Sequence, residues 1–120
     1  MTVFDAIPAL VPSPGGALLA FADGTSSIAK HDDARALFRS GEVLIANTAF
    51  VAGRLRTAPA KPLFDVLELF AFVRPNVPFV PSAVGVARLM GLAADSVPDA
   101  TAHGLRESAQ RLLQELSERP

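Results

Sequence analysis

Two turn signals near the start of the chain constrain its fold more than any other feature. Residues 6–11 and 17–22 form two apolar runs, and a turn cluster with two prolines and two glycines separates them. The second run ends in Asp23-Gly24, a dipeptide typical of short hairpins, and residues 25–29 follow it as a returning strand. The sequence therefore predicts an antiparallel meander of three strands at the start of the chain.

Strands and helices alternate in the rest of the chain. A helix at residues 31–39 is predicted by apolar residues at helical spacing, an acidic first turn and a glycine after its end. A continuous apolar stretch at residues 43–46 is typical of a strand covered on both faces. The elements predicted after it are a helix at 49–56, a short strand entering a largely buried helix at 63–73, a helix capped by Ser82 and ending at Gly91, and a helix at 100–117. This order predicts an α/β fold, in which helices pack on the faces of a mixed sheet.

Length and composition limit the class of protein. A chain of 120 residues is about one domain, and its 50% of hydrophobic residues suffice for one buried core. The chain has no cysteine, which excludes disulfides and thiolate metal sites. No apolar run approaches the ~20 residues that span a bilayer, and the first residues lack the pattern of a signal peptide. We therefore expect a single cytoplasmic domain at residues 1–120, without a membrane partner.

Charge and aromatic content bear on whether the domain contacts nucleic acid. The net charge of −1 lacks the basic surplus that is usual for a free-standing nucleic-acid binder. Between residues 51 and 90, however, cations outnumber carboxylates by three, and arginines clustered on one face would favour weak contact with phosphates. Stacking platforms for bases are expected to be scarce, because all eight aromatic residues are phenylalanines and most lie in core-like runs. The candidate contacts to single-stranded or forked DNA are Arg54, Arg56, Arg74 and Arg88; the alternative is an ordinary solvated surface.

The second half of the chain resembles the DnaQ-like exonucleases. Asn47 and Phe50, after the buried strand, resemble their second motif, where asparagine and phenylalanine precede a metal-binding aspartate. Asp65, before a leucine-rich stretch, resembles a segment further along these proteins. His103 resembles the histidine that precedes an aspartate by five positions in their last motif. The resemblance covers residues 43–117 and implies a ribonuclease H-like (exonuclease-like) fold.

The same resemblance implies that the catalytic groups are missing. Such nucleases use four carboxylates to hold two metal ions, which activate water and stabilise the displaced oxygen. The first two would lie on the opening strand, but residues 6–12 contain no acidic residue, and the third and fourth positions are Val51 and Ser108. We therefore expect no catalytic residue, no bound metal and no cofactor in this domain. The residues that remain from the family motifs are Asn47, Phe50, Asp65 and His103.

Each of these remnants also has a structural interpretation, and we favour it. Asn47 would order the end of the strand as a turn or cap residue, and His103 would be a half-packed or surface remnant. Asp65 would cap the helix that follows it, with Glu68 solvated. The alternative for this pair is a metal site, since carboxylates three positions apart share one face of a helix.

A second resemblance implies a parent protein. Residues 67–75, 80–82 and 89–92 resemble the amino-terminal region of bacterial DinG-type ATP-dependent DNA helicases. Those proteins carry an exonuclease-like domain, often degenerate, ahead of the helicase. The chain itself has no phosphate-binding loop. ATP and Mg²⁺ are therefore expected only in the parent helicase, whose core would be a partner of this domain within one longer chain.

Three functions remain open from the sequence. The first is a non-catalytic accessory domain of an ATP-dependent DNA helicase, which assists DNA engagement or domain docking. The second is a self-standing protein-interaction module, a homodimer joined through the apolar helix around Phe70 and Phe72. The third is an active 3′–5′ exonuclease, against which the missing carboxylates argue directly.

Overall fold

The computed structural model describes residues 7–79, 81–91 and 98–118, with only the backbone of residues 98–100. Residue 6, where the first predicted run begins, lies outside these ranges. The elements in chain order are β1 (Ala9–Ser13), β2 (Gly16–Ala20), β3 (Ser26–Lys30), α1 (His31–Ser40), β4 (Leu44–Ile45), α2 (Thr48–Leu55), β5 (Phe64–Asp65), α3 (Val66–Val73), α4 (Ala83–Leu89) and α5 (Pro98–Ser117).

The two turn signals form the predicted meander. Ser13 pairs with Gly16, so Pro14 and Gly15 make a two-residue turn between β1 and β2. Gly15 has a φ of +81°, a conformation that residues with a side chain rarely adopt. The second turn, between β2 and β3, has Gly24 at a φ of +88°. Both strand pairs are antiparallel, which confirms the meander.

The sheet is mixed, and its strand order is β3-β2-β1-β4-β5. β1 pairs antiparallel with β2 and parallel with β4, and β4 pairs parallel with β5. β4 has only two residues, fewer than the predicted run at 43–46, although Val43 beside it is also buried. The prediction of an α/β fold with a mixed sheet is confirmed.

The helices form a layer on each face of the sheet. Ala9 of β1 packs with α3, α4 and α5, and the next residue, Leu10, packs with α1 and α2 on the other face. Among the described residues, no helix is both long and apolar enough to cross a membrane. The spacing of apolar residues in α5 predicts one buried side, made of Ala102, Leu105, Ala109, Leu112, Leu113 and Leu116. The first four are buried, and Leu113 and Leu116 are partly buried against the same core.

Helix starts follow the predicted signals at α1 and α4. Asp32 and Asp33 lie in the first turn of α1, where the partial positive charge of the helix end favours carboxylates. The Ser82 hydroxyl oxygen accepts a hydrogen bond from the Gly85 N–H at 3.0 Å and thereby caps α4. Both predicted starts are confirmed.

Helix α3 differs from its prediction. Val66, Phe70 and Val73 are buried, but Phe72 is 68% exposed. Only one side of the helix is covered, because α4 and α5 pack against that side. The prediction of a largely buried helix is therefore wrong for its outer face. Spacing could not show this, since the outer residues are apolar as well.

We expect Gly16→Ala to destabilise the protein by about 1–3 kcal/mol, whereas Gly53→Ala stabilises it by up to about 1 kcal/mol. A Cβ on Gly16 would overlap the backbone carbonyl of Ala29 in the neighbouring strand. Gly53 lies exposed in α2, and a Cβ there meets no atom within 4 Å. Urea unfolding followed by circular dichroism measures both changes. Equal stability of the two variants would contradict the close approach of β2 and β3.

Candidate functional site

One buried carboxylate joins the turns that follow two neighbouring parallel strands. Asp65 ends β5 and is only 8% exposed. One of its oxygens accepts hydrogen bonds from the backbone N–H groups of Asn47 and Leu67, both at 3.0 Å. The other accepts from the N–H and the hydroxyl of Thr48, both at 2.8 Å. Asp65 therefore fixes the start of α2 relative to the start of α3.

The interpretation of Asp65 as a helix cap is confirmed. It is the residue before α3, and its side chain accepts from the second helical N–H. Glu68, one turn later, is exposed to solvent. Both oxygens of Asp65 are thus occupied by donors of the protein itself. Within residues 7–79, 81–91 and 98–118, no three histidine, aspartate or glutamate side chains form a group that could hold a metal ion.

Asn47 begins α2 in the way a cap residue does. Its φ is +67°, in the left-handed region that asparagine tolerates better than most residues. Its side-chain oxygen accepts from the Phe50 N–H at 3.1 Å. The prediction of a turn or cap residue is confirmed. As a result, α2 starts directly after β4, with Val51 facing the core and Phe50 facing outward.

A cavity of about 440 Å³ lies at the carboxyl ends of β1 and β4. In the sheet, the order runs from β1 to β2 and β3 on one side and to β4 and β5 on the other. Ligands in open α/β sheets bind outside the carboxyl ends of the strands, at the point where the strand order reverses. The polar residues in its wall are Asn47, Ser82 and Thr101, and none of the described residues that line it is charged. Its apolar lining consists of Leu10, Val11, Pro12, Ala46, Phe50, Val51, Pro81, Ala83, Val84 and Leu105.

The positions expected to carry nuclease carboxylates are built into the core. On the opening strand, where the first two positions were expected, Ala9 and Leu10 are buried, and Val51, the third position, packs in the layer under α1 and α2. Ser108 is fully buried in α5, where its hydroxyl donates to the Gly104 carbonyl oxygen at 2.8 Å. His103 is half-buried on the same helix. Of the four residues that the resemblance singled out, Asn47 and Phe50 line the cavity, and Asp65 holds the start of α2 through its hydrogen bonds to Thr48.

Phe50 forms an exposed aromatic surface at the mouth of this cavity. Its side chain is 53% exposed, and the guanidinium carbon of Arg54 lies 5.8 Å from its ring centroid. This distance is within the range of a cation–π contact. The spacing of residues in α2 could have predicted this pair. Val51 and Leu55 face the core, so Phe50 and Arg54, which are also four positions apart, face outward together.

The expectation that aromatic platforms are scarce is wrong for the described part of the chain. Sequence reasoning placed the phenylalanines in the core because their neighbours are apolar. In the structure, Phe50 and Phe72 instead lie on outer helix faces, Phe64 lies on the edge strand β5, and Phe21 follows directly after β2. The phenylalanines that are more than a third exposed are Phe21, Phe50, Phe64 and Phe72.

The four candidate arginines do not come together on one face. Arg54 and Arg56 belong to α2 and its carboxyl end, and both are exposed. Arg74 follows α3 and makes a two-nitrogen ion pair with Glu115 of α5, at 3.0 and 3.1 Å. Arg88 is exposed in the last turn of α4. Because α2 packs on one face of the sheet and α3 and α4 on the other, the single cluster envisaged from the sequence does not form.

No family model, no curated protein and no solved structure matches the chain. Its function is therefore inferred from its own residues. The features that bear on it are the apolar cavity at the ends of β1 and β4 and the Phe50–Arg54 pair at the cavity mouth.

We expect Asp65→Asn to lower the free energy of unfolding by about 1–3 kcal/mol. An amide keeps one acceptor oxygen, but its NH₂ group would face the N–H and hydroxyl donors of Thr48. The matched change Glu68→Gln, at the exposed position one turn later, should stay within about 0.5 kcal/mol. Urea unfolding of both variants tests this difference, and a fully stable Asp65→Asn protein would refute the structural role of the carboxylate.

Proposed function

We propose that this chain is a non-catalytic accessory domain of an ATP-dependent DNA helicase, and that it engages DNA through the cavity mouth at Phe50. We further propose that its α/β fold is a degenerate exonuclease fold of the ribonuclease H-like type. The mixed sheet with its opening meander has the form that this resemblance implies. The observation that carries the proposal is the placement of Phe50 and Arg54 beside a cavity, at the carboxyl ends of β1 and β4, whose described lining residues carry no charge.

The lack of catalysis is proposed from the residues at the expected metal positions. Residues 6–12, where the first two carboxylates were expected, include no acidic residue, and Val51 offers no ligand atom and is packed in the core. The hydroxyl of Ser108 is engaged within its own helix. Asp65 is a buried carboxylate, but both of its oxygens already accept hydrogen bonds from the protein. Two-metal hydrolysis needs several free carboxylates that converge on one point, and these residues cannot supply them.

DNA engagement is proposed from the chemistry of the cavity mouth. A base can stack on the exposed face of Phe50, and such stacking contributes about 1–3 kcal/mol per base. Arg54 beside the ring can donate to a phosphate, since its planar group matches phosphate oxygens. Arg56, two residues further at the carboxyl end of α2, is a second exposed cation near this surface. Single-stranded DNA fits this surface better than duplex, because its bases are free to stack.

The expected affinity is low, and tethering makes a low affinity sufficient. The net charge of the chain is −1, so general attraction to DNA is weak. A domain linked to a helicase core binds its DNA at high effective concentration. In this proposal the helicase core is the partner within the parent protein, ATP and Mg²⁺ act there, and the protein works in the cytoplasm.

A protein-interaction module is the second candidate, and Phe72 is the observation that favours it. Its side chain stands 68% exposed on the outer face of α3. Phe70, which the sequence suggested for the same interface, is fully buried and packs edge-on against Phe79 at 4.7 Å between ring centroids. Of the two residues, only Phe72 is therefore accessible to a partner.

We expect labelled single-stranded DNA to bind the protein at low salt in a fluorescence anisotropy titration. Phe50→Ala should weaken binding at least about fivefold through lost stacking. Arg54→Ala should reduce the slope of log K against log salt by about 0.7, the value of one phosphate contact. Arg88→Ala removes the same charge from the opposite face of the sheet and should change neither quantity.

The same samples, incubated with Mg²⁺ or Mn²⁺ and run on a gel, test the absence of catalysis. Intact DNA is the expected result. Shortened DNA would show that the proposed loss of nuclease activity is wrong. An absence of binding by the unaltered protein would refute DNA engagement and leave the interaction module as the better account.

A further inference from the structure

Within the part of the chain that the structure describes, β3 is an edge strand whose outer backbone groups have no partner strand. In the sheet order it has a single neighbour, β2. The Phe21 N–H donates to the Thr25 carbonyl at 2.9 Å, which sets the phase of the antiparallel ladder between β2 and β3. Because hydrogen-bonded pairs alternate along such a ladder, Ser27 and Ala29 face β2. The N–H and C=O groups of Ser26 and Ile28 and the N–H of Lys30 therefore point away from the sheet, whereas the Lys30 carbonyl accepts the first hydrogen bond of α1.

The side chains of β3 do not protect this edge. Ile28 is 78% exposed, although its partner Leu18 is partly buried on the face covered by α5. Helix α5 packs across β1 and β2. Proteins commonly block free edges with prolines, bulges or charges in mid-strand. β3 has neither a proline nor a break in its five-residue register, and its one charge, Lys30, is at its end.

We propose that β3 pairs antiparallel with β3 of a second copy of this chain, about a two-fold axis at Ile28. This register places Ile28 opposite Ile28 and Ser26 opposite Lys30, so that the Ile28 N–H and C=O, the Lys30 N–H and the Ser26 C=O of one strand each meet a complement on the other. The pairing is self-complementary, as a two-fold interface requires. It joins the two sheets into one continuous sheet across the dimer.

Charge at the two ends of β3 favours this antiparallel arrangement over a parallel one. Lys30 ends the strand, and Asp23 lies in the turn that precedes it. The Asp23 carboxylate accepts from the Thr25 hydroxyl and N–H at 2.6 and 2.9 Å, and these hydrogen bonds lower its pKa, so it is ionised at neutral pH. Antiparallel pairing brings Lys30 of each copy toward the partner's Ser26 and the turn beyond it. Parallel pairing would instead bring like charges together.

The size of the contact predicts a weak dimer. One five-residue strand per copy buries less than the ~1,200 Å² of total surface typical of stable complexes. Backbone hydrogen bonds supply affinity in strand addition, and the Ile28 pair adds a β-branched contact between strands. Dimers are therefore expected only toward high protein concentration, in the range of ~10 µM to 1 mM.

Sedimentation velocity of the 120-residue chain over that range tests the proposal. The expected result is a rise toward twice the 12.6 kDa of one chain. Ile28→Lys should abolish the rise, because two lysines would face each other across the axis. Ile28→Pro should do the same, since it removes an outward N–H without removing a bond to β2. Phe72→Lys is the matched control on another exposed apolar residue, and it should dimerise as the unaltered chain does.

A covalent test uses the absence of native cysteine. In a hydrogen-bonded antiparallel pair the opposed Cα atoms are about 5.5 Å apart, which a disulfide can bridge. Ile28→Cys should therefore form a linked dimer on mild oxidation at high concentration, and Phe72→Cys should form much less. A chain that stays monomeric up to ~1 mM overturns the proposal. A dimer that survives Ile28→Lys, or is lost with Phe72→Lys, overturns it equally.

Discussion

The central strand β1 organises this domain because it is buried on both faces. Ala9 packs into the layer of α3, α4 and α5, and Leu10 into the layer of α1 and α2. β1 is also the strand at which the pairing changes from antiparallel to parallel: it is antiparallel to β2 on one side and parallel to β4 on the other. The buried Arg106 of α5 donates to the Ile7 carbonyl just before the strand begins. The cavity lies at the other end of this strand, its carboxyl end, so β1 contributes to both the core and the cavity wall.

Asp65 holds in place the starts of α2, which borders the cavity, and of α3. A buried carboxylate is costly unless donors surround it, and here four donors from the starts of α2 and α3 do so. Their hydrogen bonds hold α2 against the parallel strands, with Phe50 and Arg54 at the cavity mouth. The acidic residue that could have suggested chemistry therefore acts as a structural support.

The candidate site was only partly accessible to sequence reasoning. Asn47 and Asp65 were interpretable as caps because capping depends on local spacing. The positions of the arginines relative to one another could not be predicted, because only the packing of the helices puts Arg54 and Arg88 on opposite faces of the sheet. Arg74 likewise meets Glu115, a residue far along the chain, through the contact of α3 with α5. The exposure of phenylalanines was misjudged for the same reason, since local apolarity does not tell which face of a helix is covered.

The sequence by itself determined the order of the elements and the starts of several of them. Turn residues, capping residues and the apolar period of each segment act over a few positions, so the meander, α1, α4 and the buried line of α5 could all be derived from them. Only the tertiary structure decided the strand order, the placement of the cavity and the free edge at β3. These depend on contacts between residues distant in sequence, such as Ala9 with Leu44 or Asp65 with Thr48. The physical reason is that burial and pairing are properties of the packed layers, and no single segment carries them alone.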